Sequence, residues 1–238
     1  MSDLENIRHS LAHLLAAAVL KKFPKAKLGI GPTIEDGFYY DFLLPRGMKF
    51  SPEDLKDFEK TMREMIGQNL PFSGKKITSA EAKNLFKDQP FKLELIADFT
   101  KHKQPLTAYS ILRDASGQAG DVFTDLCRGG HVNSTKEIPA DAFKLTKISG
   151  AYWRGDEKKP QLQRIYGVAF GSKAELETHL KMFVEAEKRD HRKLGEELDL
   201  FTFSELVGGG LPLWTPKGTI LRDLLDNFVW ELRKARGY

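Results

Sequence analysis

Residues 106–170 constrain the fold most, because this stretch divides into short segments rich in β-branched and aromatic side chains. The segments LTAYSIL, DVFTDLC, FKLTKIS, AYWRG and LQRIYGVAF are separated by Gly, Asp or Pro. Such side chains favour strands, and the residues between them favour turns. Short strands joined by short turns pair most simply with their neighbours in antiparallel order. The sequence therefore predicts an antiparallel sheet here.

Helical signals precede this region. Ser2 followed by Glu5 has the spacing of a capping box, and apolar residues at helical intervals then run to a basic last turn and Pro24. This pattern predicts a helix over Asp3–Lys22. The segment LGIGPTIEDGFYYDF follows, and its glycines between short apolar pieces predict strands joined by turns.

Two more helices are expected before the sheet. Ser51 and Pro52 have the residue types of a cap and a first helical position, and this helix should end near Pro71. A further capping signal at Ser79 predicts a short helix that Pro90 interrupts.

The C-terminal third changes character again. Ser172 and Glu175 predict the cap of one long helix over residues 172–198, which carries the basic segment EKRDHRK and links two domains. After the glycine-rich hinge VGGGLP, Thr215 and Pro216 predict the start of an amphipathic helix. One strand-like piece and one helix cannot enclose a core, so we expect residues 199–238 to be the opening part of a further domain.

Composition narrows the functional classes only broadly. A single cysteine among 238 residues excludes an internal disulfide framework and favours a cytoplasmic setting. The early apolar run at residues 14–20 is too short to cross a bilayer and lacks the pattern of a signal peptide, so we expect no membrane partner. The net charge of +4 permits contact with nucleic-acid phosphates without establishing it.

Two pairs of side chains suggest a chemical site. His9 and His13 stand four residues apart and share one face of the predicted first helix. Cys127 and His131 have the same spacing, and the two glycines between them predict a turn that lets both side chains face one point. Imidazole and thiolate are ligands that zinc favours. Each pair alone also fits an ordinary role, as hydrogen-bonded helix histidines and as a small buried thiol.

Other common chemistries lack their motifs. Position 10 is Ser rather than Glu in HSLAH, so the general base of the zincin metalloproteases is missing. The sequence contains no Walker loop and no G-x-G-x-x-G, and VGGGLP is better explained as a hinge. Nucleotide binding by these residues is therefore unsupported.

Considered together, the motifs resemble a known family. RHSLAHLL, GIGPTIEDGFYYDF, DLCRGGH, GAYWRGD, QRIYGVAF and KRDHRKLGEELDLF are similar, in order and spacing, to the editing domain and linker helix of threonyl-tRNA synthetase. GTILRDLLDNFVWELRKARGY resembles motif 1 of a class II synthetase catalytic domain. The resemblance implies an α+β fold in which an antiparallel sheet and packed helices form an editing cleft. It further implies a tRNA editing domain of the threonyl/alanyl second additional type at 1–171, a linker helix at 172–198 and an incomplete catalytic domain at 199–238.

The sequence also departs from the family pattern. It lacks the small β-grasp domain that precedes the editing helix in many relatives, and motifs 2 and 3 and the anticodon-binding domain. The family's ATP, Mg and threonine-recognising Zn sites, and the surface through which full-length members homodimerise, are expected in that absent portion. We therefore do not expect this polypeptide to make threonyl-tRNA by itself. Gly130 stands where the family usually has proline, and we expect it to loosen the turn that aims His131.

The resemblance implies specific residue roles. The implied catalytic residues are His9, His13, Lys92, Cys127 and His131, and the implied substrate-binding residues are Tyr40 and Asp125. A neutral His9 suits the acceptance of a proton from the attacking water. Lys92 would orient that water or stabilise the developing charge, and Asp125 would hold the α-ammonium of the seryl group. We expect His9 and Lys92 to be polar cleft residues rather than core residues.

The implied activity is hydrolysis of mischarged seryl-tRNA(Thr) at its acceptor end, with tRNA(Thr) as the partner. Serine lacks only one methyl group of threonine, and a single pocket separates such substrates by only about 1–3 kcal/mol. No cofactor is expected for this hydrolysis. In alanyl-tRNA editing domains a similar set binds zinc, so His9, His13, Cys127 and His131 remain candidate zinc ligands.

Two alternatives stay open at this level. The first is a non-catalytic tRNA-binding module that makes its contacts through the basic segment EKRDHRK. The second is a stand-alone, zinc-dependent, alanyl-type trans-editing protein.

Overall fold

A computed structural model describes residues 3–113 and 120–237. The described helices are α1 (Asp3–Lys22), α2 (Pro52–Gly67), α3 (Ser79–Leu85), α4 (Pro90–Lys101), α5 (Lys173–Lys188), α6 (His191–Glu197) and α7 (Pro216–Ala235). The described strands are β1 (Lys27–Leu28), β2 (Thr33–Ile34), β3 (Gly37–Leu43), β4 (Phe72–Ile77), β5 (Leu106–Leu112), β6 (Asp121–Leu126), β7 (Phe143–Tyr152), β8 (Gln161–Ala169), β9 (Phe201–Thr202) and β10 (Leu213–Trp214). This mixture of helices and antiparallel strands confirms the predicted α+β class.

The chain divides into two compact units, residues 1–176 and 177–238. In the first unit the strands form two antiparallel sheets instead of one. The larger has the order β1-β3-β8-β7 with β2 added to β3, and the smaller has the order β4-β5-β6. The antiparallel pairing predicted for residues 106–170 is confirmed, but β5 and β6 belong to a different sheet from β7 and β8.

Helix α1 runs through the core of the first unit. It has the predicted bounds, while Ser2, its predicted cap, lies outside the described residues. Its residues from Arg8 to Val19 are almost all buried, and it contacts α2, β3 and β6. A helix that is largely apolar around its circumference is stable only inside a core. Polar residues on α1 are consequently held in the interior between elements of both sheets.

Helices α2 and α3 begin with capping boxes. Ser51 precedes α2 as predicted, and its backbone N–H donates to Asp54 Oδ2 at 2.6 Å. The cap of α3 is Thr78, one residue before the predicted Ser79, and the Thr78 hydroxyl accepts the Glu81 N–H at 3.2 Å. Both caps satisfy backbone donors that the first helical turn leaves without partners.

Helix α4 was missed at the sequence level, because Pro90 was interpreted only as an interruption. Pro90 is instead the first helical residue of α4, where a missing N–H costs nothing. One side of α4 packs Ile96 into a small core with α3 and β5, and another packs Phe91 against Trp153, with ring centroids 4.8 Å apart. Fixed on two sides, α4 holds Lys92 in a defined orientation.

The predicted single helix over residues 172–198 is wrong. Helix α5 ends at Lys188, and Asp190 caps a separate helix, α6, by accepting the Arg192 N–H at 2.8 Å. An aspartate inside the segment EKRDHRK thus restarts the helix instead of continuing it.

In the second unit β9 and β10 form a short antiparallel pair. Helix α7 then begins as predicted, with the Thr215 hydroxyl accepting the Gly218 N–H at 3.2 Å and Pro216 in the first turn. Among all described helices, none is long and apolar enough to cross a membrane.

Candidate functional site

The two pairs singled out in the sequence meet in the first unit. His9 and His13 come from α1, and Cys127 and His131 come from the segment that follows β6. One potential ligand atom from each of the four residues lies within 4.8 Å of the others. Cys127 Sγ is 3.3 Å from His9 Nε2 and 3.2 Å from His131 Nε2. We call these four residues the His/Cys cluster.

The turn between Cys127 and His131 depends on its two glycines. Gly129 and Gly130 have φ values of +97° and +83°, in the region that disfavours residues with a side chain. Proline is locked near −65° and cannot adopt the Gly130 conformation. The turn therefore follows a path that a proline at position 130 would not allow. It also brings the Gly129 N–H to Cys127 Sγ at 3.3 Å.

Aromatic rings and one hydroxyl surround His131. Its ring stacks on His9 with centroids 4.1 Å apart, and lies nearly parallel to Phe72 at 5.1 Å and 12°. Ser10 Oγ lies 3.2 Å from His131 Nδ1. Ser10 and Phe72 were not predicted from the sequence. The available signal for Ser10 was a small polar residue just before the largely apolar stretch of α1 at residues 11–20.

Burial keeps the cluster neutral. Desolvation lowers the pKa of His9, and it lowers the pKa of His13 well below the usual value, with further lowering from neighbouring positive groups. The pKa of His131 is lowered for the same reasons. Desolvation raises the pKa of the Cys127 thiol to about 12. Near neutral pH the cluster thus holds uncharged imidazoles and a protonated thiol.

His13 has an unsatisfied nitrogen. Its side chain is buried, and its Nδ1 has no hydrogen-bond partner among the described residues. An unpaired buried polar atom costs about 1–3 kcal/mol, and pairing with a bound group would remove that cost.

Lys92 and Asp125 form a buried ion pair beside the cluster. Lys92 Nζ lies 2.6 Å from Asp125 Oδ1, and the two side chains are only 2% and 3% exposed. The Tyr40 hydroxyl donates to Asp125 Oδ2 at 2.5 Å and accepts from Lys92 Nζ at 3.2 Å. The Leu126 N–H also donates to Asp125 Oδ1, at 2.8 Å. The expectation that Lys92 is not a core residue is therefore wrong.

The ion pair leaves some binding capacity. An ammonium has three N–H donors. Among the described residues, Lys92 uses one on Asp125 and one on Tyr40, which leaves the third N–H. The Asp125 carboxylate accepts three bonds but has about four lone-pair positions. The pair thus retains one donor and one acceptor position beyond these hydrogen bonds.

An adjoining cavity of about 520 Å³ contains most of the expected site residues in its lining. His9, His13, Lys92, Asp125 and Cys127 line it together with Arg128 and apolar residues of the β1–β2 loop and α4. Tyr40 is fully buried and stacks on Phe42, with centroids 4.9 Å apart. Tyr40 thus supports the wall through Asp125, and neither Tyr40 nor His131 is among the residues that line the cavity.

The donor set also fits zinc. Three imidazoles and a thiol are suitable first-row metal ligands, and tetrahedral zinc binds nitrogen at about 2.0–2.1 Å and sulfur at about 2.3 Å. One donor atom from each of the four residues lies within 4.8 Å of the others, a spacing that small side-chain movements can close to that geometry. The same residues therefore suit a metal or a metal-free network of hydrogen bonds.

Comparison with known proteins shows that the chain is similar to part of threonine–tRNA ligases. Residues 117–166 match the family described as "Threonyl and Alanyl tRNA synthetase second additional domain". Over 238 residues, 100% of the chain, the sequence is 52% identical to a threonine–tRNA ligase of Dehalococcoides mccartyi, and it covers 38% of that relative. It is 50% identical over 237 residues to that of Gloeobacter violaceus (99% of this chain, 36% of the relative). The ligase of Staphylococcus carnosus is 47% identical over 235 residues (99% of this chain, 34% of the relative). The chain thus spans little more than a third of the length of these curated relatives.

Proposed function

Because the chain belongs to the threonine–tRNA ligase family and corresponds to its editing region, we propose that it hydrolyses the ester of mischarged seryl-tRNA(Thr). The observation that carries the proposal is the convergence of a neutral His/Cys cluster and a buried Lys92–Asp125 pair on one cavity. In the complete protein this activity would accompany aminoacylation of tRNA(Thr) in the cytoplasm. Residues 1–171 would form the editing domain, 172–198 the linker, and 199–238 the start of the catalytic domain.

The proposed reaction is water attack on the ester carbonyl carbon. Neutral His9, which lines the cavity, accepts the proton of the attacking water. The free N–H of Lys92 stabilises the negative charge that develops on the carbonyl oxygen. The remaining acceptor position of Asp125 receives the α-ammonium of the seryl group. Expulsion of the ribose hydroxyl, which takes up a proton, then gives free serine and tRNA.

The proposal explains why a second site is useful. A synthetic site that must accept threonine cannot strongly reject the smaller serine, since one methyl group is worth only about 1–3 kcal/mol. A cavity that accepts serine and excludes the extra methyl of threonine reverses this preference. Acting one after the other, the two sites would therefore discriminate serine from threonine better than either site alone.

A zinc-dependent form of the same hydrolysis is the second candidate. It is favoured by the four converging donors and by the unpaired His13 Nδ1. His9, His13, Cys127 and His131 would hold the ion, which would supply Lewis-acid activation of water. We favour the metal-free reaction, because the threonyl-type segments around the cleft argue for it. Elemental analysis of the freshly purified protein separates the two.

A binding-only role has weaker support. The cations of EKRDHRK mostly face local acids: Arg192 lies 2.7 Å from Asp190, and Lys188 lies 2.9 Å from Glu185. Such exposed pairs contribute little to stability, but they reduce the positive charge available to an RNA backbone. Binding of RNA without turnover would nevertheless favour this role.

The proposed function is tested by deacylation assays on the full 238-residue chain. Seryl-tRNA(Thr) and a seryl acceptor-stem minihelix are both used, so that weak capture of whole tRNA does not hide turnover. His9→Ala should lower kcat by about 100-fold or more, the usual contribution of a general base. His102→Ala is the matched control, since His102 is exposed at the end of α4 and outside the cavity. No turnover with either substrate, or equal activity of both variants, contradicts the proposal.

A further inference from the structure

Ser10 occupies an unusual position for a hydroxyl. It is completely buried on α1 between the two histidines of the cluster. Its Oγ accepts the Val132 N–H at 3.1 Å and lies 3.2 Å from His131 Nδ1. One small side chain thus links the cluster helix to both the ring and the backbone of the opposite segment.

The stacked rings around His131 restrict the plane of its ring. They do not decide which of the two ring orientations within that plane, its flip state, is adopted. His9 and Phe72 pack against its faces at interplanar angles of 29° and 12°. A half-turn about the Cβ–Cγ bond keeps the ring in that plane and exchanges each nitrogen for a carbon. Stacking is nearly indifferent to this exchange, whereas hydrogen bonds are not. Two polar contacts distinguish the states: Ser10 Oγ at Nδ1 and Cys127 Sγ at Nε2.

The Ser10 hydroxyl also selects which nitrogen of the His131 ring carries the proton. A hydroxyl has one donor and two acceptor positions, and Ser10 already accepts from Val132. Among the described residues, His131 Nδ1 is the acceptor that its O–H reaches. Donation to Nδ1 leaves the ring proton on Nε2, directed at Cys127 Sγ 3.2 Å away. In a neutral imidazole one nitrogen is a donor and the other an acceptor, so the partner of one sets the role of the other.

We propose that Ser10 is a positioning residue that holds His131 in the Nε2–H tautomer and in one flip state. His131 then donates to the Cys127 sulfur at 3.2 Å, and the thiol proton can be directed at the Gly129 carbonyl oxygen 3.9 Å away. The inference rests on the proposed hydrolysis for its catalytic consequence. It also separates the two candidate reactions, because a protonated Nε2 has no lone pair for a metal. Zinc ligation through Nε2 requires the opposite tautomer, with the Nδ1 proton donated to Ser10.

The tautomer is measured directly by long-range ¹H–¹⁵N correlation on the ¹⁵N-histidine-labelled, metal-free chain at neutral pH. The His131 signals are assigned by their loss in His131→Asn. The expected pattern for His131 is a protonated Nε2 and an unprotonated Nδ1. A protonated Nδ1 overturns the inference. This measurement needs no substrate, so it stands even if the chain proves unable to hydrolyse seryl-RNA.

Substitution tests the consequence for the reaction. Ser10→Ala should give a mixture of His131 tautomers and lower kcat for the seryl minihelix at least 10-fold, with KM changed less than 2-fold. Thr135→Val is the matched control. Thr135 is also fully buried, and its hydroxyl accepts the Leu70 N–H at 2.8 Å, but its hydrogen-bond partners lie outside the cluster.

The control must keep the wild-type tautomer and kcat. A pure Nε2–H tautomer in Ser10→Ala, or equal kcat losses in Ser10→Ala and Thr135→Val, overturns the positioning role. If Ser10→Ala does not fold, Ser10→Cys replaces it, since a thiol keeps the small volume but is a weak donor. Ser10→Cys should then show the same tautomer mixing, and an unmixed tautomer counts against the inference.

Discussion

Replacing Lys92 should destabilise the first unit far more than replacing a surface lysine. In Lys92→Met, Asp125 loses the ammonium 2.6 Å from Oδ1 while remaining almost fully buried. Breaking a buried ion pair by removing one partner costs about 3–5 kcal/mol. Asp125 keeps the Tyr40 hydroxyl and the Leu126 N–H, so we expect the low end, about 3 kcal/mol. With a urea slope of about 2 kcal/mol per M, the unfolding midpoint falls by about 1.5 M.

The assay needs a signal from the first unit alone. Trp153 is buried in that unit, whereas Trp214 and Trp230 belong to the second. Replacing Trp214 and Trp230 by Phe in every protein leaves Trp153 as the fluorescent reporter. Lys159→Met is the matched control, because Lys159 also pairs with a carboxylate, Glu94 at 2.8 Å, but both side chains are about a third exposed. Such a pair is worth about 0–1 kcal/mol.

The double variant completes the test. If the cost comes from an uncompensated Asp125 carboxylate, then adding Asp125→Leu to Lys92→Met should recover part of the lost stability. The double-mutant cycle should give a coupling free energy between the two positions of about 2 kcal/mol. A Lys92→Met protein no less stable than Lys159→Met, or single effects that simply add, refutes the reasoning.

Three further predictions concern the His/Cys cluster. Because the pKa values of His13 and His131 are lowered in the folded state, the unfolded chain binds more protons below about pH 6.5, and stability falls as the pH is lowered from about 6.5 to 5. Urea titrations across this range should show the slope, and an unchanged slope in His13→Gln would contradict the assignment. Cys127→Ala should lower kcat less than His9→Ala and leave the metal content of the purified protein unchanged, whereas joint loss of zinc and activity would favour the metal-dependent reaction. Gly130→Pro should lower kcat at least 10-fold, because proline cannot adopt a φ of +83°, and activity equal to that of the parent would show that the turn has another accessible path.

The elements predicted well are those with local causes. Helix α1 and strand β5 have the predicted bounds. The helical spacing that predicts α1 and the β-rich segment that predicts β5 lie within the elements themselves. Helix α4 was missed because a proline can end one helix or begin another, and only the packing of Phe91 and Ile96 decides between them. The break before Asp190 has a similar cause, since an aspartate can extend a charged helix face or cap a new helix.

The site was predictable only through several motifs at once. His9 and Cys127 are 118 residues apart in sequence, and no local pattern predicts that their side chains meet. The burial of Lys92 was unpredictable for a related reason, since a lone lysine is usually solvated and its partner Asp125 lies in a different element, β6. Ser10 was overlooked because its role depends on the position of His131, which the turn at Gly129 and Gly130 determines.

The central claim is that this cavity hydrolyses seryl esters in preference to threonyl esters. Its most direct test is single-turnover deacylation of seryl and threonyl acceptor-stem minihelices by the full chain at matched, saturating enzyme. The seryl minihelix should be cleaved at least 10-fold faster than the threonyl minihelix, the low end of what one methyl group can discriminate. Equal rate constants for the two substrates, or binding of the seryl minihelix without cleavage, would contradict it.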